Sequence, residues 1–292
     1  MRISHQMLHQ NSMNHVSQNM SRLNKAYNDA STGKQIHKPS DDPHGVSQAM
    51  QLKSAISANV QYERNTSEAN LVLDETDQTI NSMVNVMQRV RELSVQGNND
   101  TLNEEDRNVI ATEVEELTEQ LRQFANTQVN GNYLFNGTDT KNAPYANKNS
   151  HETADFADVK LKTFTIAEGL TLEVGVKAGE LFGQGEAGLF AKLSEAAQNL
   201  RAGEKVSLDN IDSGVDQMLQ KAAEVGARKN RVEAVENRIS GSTLELKQML
   251  SKIEDIDIAE AITKLKSEES LYQASLAASA KIIQPSLMDF LR

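Results

Sequence analysis

LDNIDSGVDQMLQKAAEVGARKNRVEAVENRISGSTLELKQMLSKI, residues 208–253, decides the fold. Ile211, Val215, Met218, Ala222, Val225, Lys229, Val232, Glu236, Ile239, Thr243, Leu246, Leu250 and Ile253 follow one another at alternating steps of four and three. A repeat of about 3.5 residues marks a narrow seam of the coiled-coil kind, not the wide apolar stripe of a globular helix. Three members of the series are polar, yet its phase never changes. At about 1.5 Å per residue a helix over 208–251 would be roughly 65 Å long, which is a rod.

The same grammar recurs along the chain. Met13, Val16, Met20, Leu23, Tyr27 and Ala30 keep it, as do Leu73, Thr76, Ile80, Met83, Met87 and Val90. Ile110, Val114, Leu117, Leu121 and Phe124 follow, and Ile258, Ile262, Leu265, Glu269, Tyr272, Leu276, Ser279 and Ile283 close the chain. Composition agrees: aromatics are 4 %, Trp is absent and Pro numbers 4, so helix is cheap while a thick globular core is hard to assemble. The expected fold is mainly α, an elongated antiparallel bundle of long helices built from both chain ends.

Between the helical arms the period changes. VNGNYLFNGTDT, residues 129–140, carries two Asn-Gly pairs around a short aromatic run, a strong turn signal. Phe164, Ile166, Leu170, Leu172, Val174 and Val176 then alternate with period two across Glu168-Gly169, which reads as a hairpin with one buried face. GLFAKLSEAAQNLRAG reads as a short helix stopped at Gly203. Residues 138–205 are therefore expected to form a small inserted β-rich domain. The arms divide further, into terminal helices (1–42 and 254–292) and a long bundle (43–137 with 206–253).

The subdivision rests on two joints. In STGKQIHKPSDDP, residues 31–43, Gly33 is a natural helix stop and Pro39 forbids continuation. Asp42 suits an N-cap, with Pro43 at the first helical position. Near the other end the seam slips between Ile253 and Ile258, as stacked bundles would require.

The same residues offer little chemistry. Asp41 and Asp42 are adjacent, and neighbouring side chains diverge, so they make a poor carboxylate pair. Gly33-Lys34 lacks the glycine and strand–helix context of a phosphate loop. His5 and His9 share a helical spacing without a third ligand, and cysteine is absent. No cofactor, metal site or enzymatic activity is expected. A net charge of −11 argues against nucleic acid, and no apolar run approaches the roughly 20 residues of a membrane helix. The opening residues lack the apolar core of a cleaved signal peptide, so residue physics alone reads as cytoplasmic.

The extremities carry opposite charge. Residues 1–40 hold five Lys or Arg against Asp29 alone, whereas 253–292 hold seven acids against four bases. If the two terminal helices pair, they form a ribbon too thin to cover its own apolar groups. Such ends are expected to fray alone and to order among neighbouring copies, repeated into a ring or helical layer.

Four stretches now carry a resemblance: ASTGKQIHKPSDDPHGVSQAM (30–50), NYLFNGTDT (132–140), VGARKNRVEAVENRI (225–239) and the tail from IEDIDIAEA to QPSLMDFL (253–291). Together they resemble the flagellin superfamily across both arms, the insert only loosely. PSDDP combined with QPSLMDFL is similar to the branch found at hook–filament junctions; filament flagellins usually end differently. His44 departs from the pattern, since a small residue is commoner after DDP.

The resemblance implies a non-enzymatic flagellar subunit, exported by the type III apparatus and therefore extracellular. It implies hook-associated protein 1 and flagellin as neighbours, and an export chaperone at the C-terminal helix. The implied assembly interface is Val16, Met20, Leu23, Tyr27, Ile258, Ile262, Leu265, Tyr272, Leu276 and Ile283, with Gly33, Pro39, Asp42 and Pro43 as interlayer joint. A minor flagellin, or a cytoplasmic coiled-coil adaptor, is the alternative.

Overall fold

The computed structural model describes residues 2–99, 101–145 and 159–283. Its long elements are α1 (Arg2–Thr32), α2 (Pro43–Gly97), α3 (Glu104–Ala125), α6 (Leu208–Glu254) and α7 (Ile258–Ile283). Between α3 and α6 lie two short antiparallel pairs, β1 (Gln128–Val129) with β2 (Asn132–Tyr133) and β3 (Lys162–Ala167) with β4 (Leu170–Val174). The helices α4 (Ala178–Phe182) and α5 (Leu189–Ala202) complete the chain. A mainly α fold of long helices drawn from both chain ends, with a small strand region inserted, is what the heptad seams and the period-two run required.

By contact the chain forms two compact units, residues 1–58 with 243–292, and residues 59–242. In the second unit, the seam of α6 is buried at Ile211, Met218, Val225, Val232 and Ile239, against Leu73, Ile80, Met83, Met87 and Val90 of α2. The polar interruptions have partners of their own. Lys229 Nζ lies 2.6 Å from Asp74 Oδ1, and Glu236 accepts a hydrogen bond from Asn70 Nδ2 at 3.0 Å. A polar residue on a seam costs little when the facing helix supplies its complement.

The core of this unit runs on into the insert. Phe164, Ile166, Leu172 and Val174 form the buried face of the hairpin and belong to the same apolar cluster as α2, α3 and α6. Although aromatics are scarce, Phe135, Tyr145, Phe182 and Phe190 are all essentially inaccessible. Tyr145 meets Phe190 edge-on at 4.7 Å between ring centres, and Phe182 stacks on Phe190 at 4.9 Å. Arg122 lies over the Phe190 ring at 5.5 Å, and burial lowers the pKa of its guanidinium. Concentrating rings in one place gives a helical chain one thick region.

Local signals hold the ends of these elements. Asn103 caps α3, its Oδ1 accepting from Asp106 N at 2.8 Å, while Glu104, Glu105 and Asp106 complement the helix dipole. Asn98 exchanges two hydrogen bonds with the backbone of Val206, at 2.8 and 2.9 Å, tying the end of α2 to the start of α6. Asn126 binds the backbone of Tyr145 in the same way.

Two turn glycines differ in a measurable way. Gly169 has φ +68° and open space where a Cβ would stand, whereas at Gly137, φ +52°, that atom would lie 2.2 Å from the Lys160 carbonyl oxygen. Gly169→Ala should cost about 1–2 kcal/mol from the left-handed backbone alone. Gly137→Ala adds a backbone clash and should cost clearly more. Urea unfolding midpoints of the two variants check the order.

Candidate assembly surface and joint

Within the first unit α1 and α7 run antiparallel. At one end Ser12 Oγ and Ser279 Oγ share a hydrogen bond of 2.6 Å; at the other, Lys34 pairs with Asp255 in an isolated β-bridge. Counting inward from Ser12 and Ser279, heptad positions fall opposite one another: Val16 with Ser275, Asn19 with Tyr272, Leu23 with Glu268, Ala26 with Leu265 and Ala30 with Ala261. Ala26, Ala261 and Ser279 are buried, and the remaining positions are half-buried.

The heptad contains a choice that the spacing alone leaves open. Val16, Leu23 and Ala30 form one row of the α1 seam. A second row can come from Ser12, Asn19 and Ala26, or from Met13, Met20 and Tyr27. The structure turns the small and polar row inward and leaves Met13, Met20 and Tyr27 at 52 %, 51 % and 62 % exposure. Helix α7 behaves likewise: Ala261, Glu268 and Ser275 face inward beside Leu265, Tyr272 and Ser279, while Ile262 and Leu276 stay exposed.

The expected interface residues therefore fall into two sets. Val16, Leu23, Leu265 and Tyr272 are engaged within the chain, half-buried between α1 and α7. Met20, Tyr27, Ile258, Ile262 and Leu276 are exposed. The side chain of Ile283, and the QPSLMDFL tail, lie outside the described residues.

The joint residues take the backbone roles that their chemistry suits. Gly33 ends α1 with φ +70°, its N–H donating to Asp29 O at 3.0 Å. Pro39 sits in the turn closed by Asp41 N donating to Lys38 O. Asp42 Oδ1 accepts from His44 N at 3.1 Å, and Pro43 begins α2. Asp41 is busy too: Oδ2 accepts from the N–H groups of Lys38 (2.9 Å) and His37 (3.2 Å), and these bonds lower its pKa.

Tertiary contact completes the joint. Gln35 N donates to Glu254 O at 2.8 Å and Ile256 N to Gly33 O at 3.0 Å, so the two connecting segments pair as short strands. Glu254, buried at the end of α6, accepts from Lys34 Nζ at 3.0 Å and also from Lys53 Nζ of α2. One carboxylate thus holds three segments. Buried Asp29 meets His37 Nε2 at 3.0 Å. The one sequence signal at Glu254 is the seam slip immediately after it. Among the described residues no group of three or more His, Cys, Asp or Glu is placed to hold a metal ion.

Burial alone would raise the pKa of Glu254, but the hydrogen bonds and charges of Lys53 and Lys34 prevail and lower it. A depressed carboxylate contributes stability that is present above its unfolded pKa and is lost as pH falls through the folded value. A carboxyl NMR titration should therefore place Glu254 below the ordinary glutamate value of about 4.3. Lys34→Met together with Lys53→Met should move the midpoint above it.

The comparisons with known proteins fit this arrangement. A model of the bacterial flagellin N-terminal helical region matches residues 3–140, and one of the C-terminal helical region matches 208–291. The flagellar hook-associated protein 3 of Escherichia coli K12 is 26 % identical, covering 95 % of this chain and 96 % of its own. Flagellin of Bacillus subtilis 168 is 27 % identical, covering 97 % of each. In fold, the flagellar junction protein FlgL of Legionella pneumophila superposes with a TM-score of 0.58 at 16 % identity, over 72 % of this chain and all of its own. With both helical arms matched, on either side of a divergent insert, the chain belongs to the flagellin superfamily.

Proposed function

We propose that this chain is a structural, non-enzymatic subunit of the bacterial flagellum, forming the junction between the hook and the flagellin filament. The observation that carries the assembly reading is the exposure of Met13, Met20 and Tyr27 on α1 and of Ile258, Ile262 and Leu276 on α7. Large apolar side chains at heptad spacing on a thin helix pair are satisfied by further helices, and copies of the same chain supply them. On this reading the interface is Val16, Met20, Leu23, Tyr27, Ile258, Ile262, Leu265, Tyr272, Leu276 and Ile283. Val16, Leu23, Leu265 and Tyr272 close the pair, and the exposed Met20, Tyr27, Ile258, Ile262 and Leu276 contact neighbours.

The junction position, rather than the filament, is supported by full-length similarity to hook-associated protein 3 together with PSDDP and QPSLMDFL at the two ends. Hook-associated protein 1 lies on one side, flagellin on the other. The chain reaches the cell exterior through the flagellar type III apparatus, with a chaperone on its C-terminal helix until export. Gly33, Pro39, Asp42 and Pro43 shape the joint that sets the angle between helical layers.

Met20→Asp and Tyr27→Asp should leave the far-UV circular dichroism of the free chain unchanged and abolish incorporation into flagella by electron microscopy. On purified hook ends the wild type should add one bounded layer; unlimited growth identifies a filament flagellin. Disabling the type III export gate should leave the chain in the cytoplasm, and its export by another route contradicts the flagellar placement.

A further inference from the structure

The inward row of the α1·α7 pair is the less apolar of the two available, which runs against the hydrophobic effect. Rolling each helix by about 50°, half of the 100° between successive residues, would keep Val16, Leu23, Leu265 and Tyr272 in the seam. It would exchange Ser12, Asn19 and Ala26 for Met13, Met20 and Tyr27, and Ala261 and Ser275 for Ile262 and Leu276. Glu268 would give way to Glu269, so each setting holds a carboxylate. The rolled setting would bury more large apolar side chains, and it is not the one adopted.

What separates the two settings is charge. Glu268 Oε2 is shut off from solvent without a hydrogen bond and lies 3.4 Å from Arg22 Nε. The glutamate side chain is 15 % exposed, whereas Arg22 reaches in from the surface and donates its Nη2 to Asn19 Oδ1. Glu269, by contrast, pairs with Lys266 of its own helix at 2.8 Å, and no cation of α1 among the described residues pairs with it. A buried carboxylate is tolerated only beside its cation.

We propose that the Arg22–Glu268 ion pair sets the roll of α1 against α7, holding the pair in the setting that keeps Met13, Met20, Tyr27, Ile262 and Leu276 outward. Arg22 and Glu268 are positioning residues: they act through the orientation of the apolar rows. The geometric claim stands without the assembly reading; its consequence, that breaking the ion pair lets the chain hide its own adhesive face, rests on that reading.

The absence of native cysteine makes the roll readable. Two reporters are built in the full-length chain, Ser12→Cys with Ser279→Cys for the observed setting and Met13→Cys with Ser279→Cys for the rolled one. Under identical mild oxidation the 12–279 disulfide should dominate. Arg22→Gln should lower the ratio of 12–279 to 13–279 at least tenfold, because the unpaired carboxylate is driven to solvent. Adding Glu268→Leu to Arg22→Gln should restore the ratio to within about twofold, since nothing charged is then buried. An unchanged ratio in Arg22→Gln overturns the proposal and assigns the roll to the backbone bridge at Lys34 and Asp255. Loss of both disulfides, or a fall that Glu268→Leu does not reverse, overturns it as well. None of these readouts depends on flagellar assembly, so their failure is distinct from failure of the junction reading.

Discussion

A helix with apolar residues at alternating steps of three and four can hide only one narrow strip, and every feature of this chain follows from how that strip is covered. Between α2 and α6 every second member of the seam over 211–239 is covered. Ile211, Met218, Val225, Val232 and Ile239 are lost to solvent, and Lys229 and Glu236 meet Asp74 and Asn70 across the seam. Among the described residues, α1 and α7 pack chiefly on each other. Two thin helices cannot surround all their apolar rows, so one row on each remains outside.

That difference separates a part of the chain with a thick core from a part without one. Residues 59–242 own a core that includes four buried aromatics and the inner face of a hairpin. Residues 1–58 with 243–292 bury chiefly alanines and polar groups: Ala26, Ala49, Ala261, Asp29, Glu254 and Ser279. Small side chains bring helices close without supplying much apolar area, so polar contacts carry unusual weight there. Glu254 holding Lys34 and Lys53, and Arg22 beside Glu268, are the result. Such contacts fix the orientation of the helices more than they add to the strength of the pair.

The STGKQIHKPSDDP stretch shows how a segment can look catalytic and be architectural. Its glycine, histidine, lysine and paired carboxylates are all in use. Gly33 reverses the backbone, Asp41 and Asp42 accept main-chain N–H groups, His37 meets Asp29 and Lys34 meets Glu254. A carboxylate occupied by backbone donors is poorly placed for proton transfer or metal binding.

Much of the fold was legible because it is periodic. Heptad spacing located α1, α2, α3, α6 and α7; the Asn-Gly pair at 130–131 and Glu168-Gly169 located the two turns; Asp42 and Gly203 marked helix ends. These signals are local, since each depends on backbone geometry within a few residues. Which of two adjacent rows turns inward is not local. Met13 and Ser12 satisfy the same period, and only the facing helix, with Ser279 opposite one and Glu268 drawn to Arg22, breaks the tie. The three-way hold on Glu254 was hidden for the same reason: its partners lie 220 and 201 positions away in the chain. Residue order by itself determined where helices begin, end and carry an apolar strip. Only the tertiary structure decided which strip is shown to the outside, because that choice is made between surfaces and not along a chain.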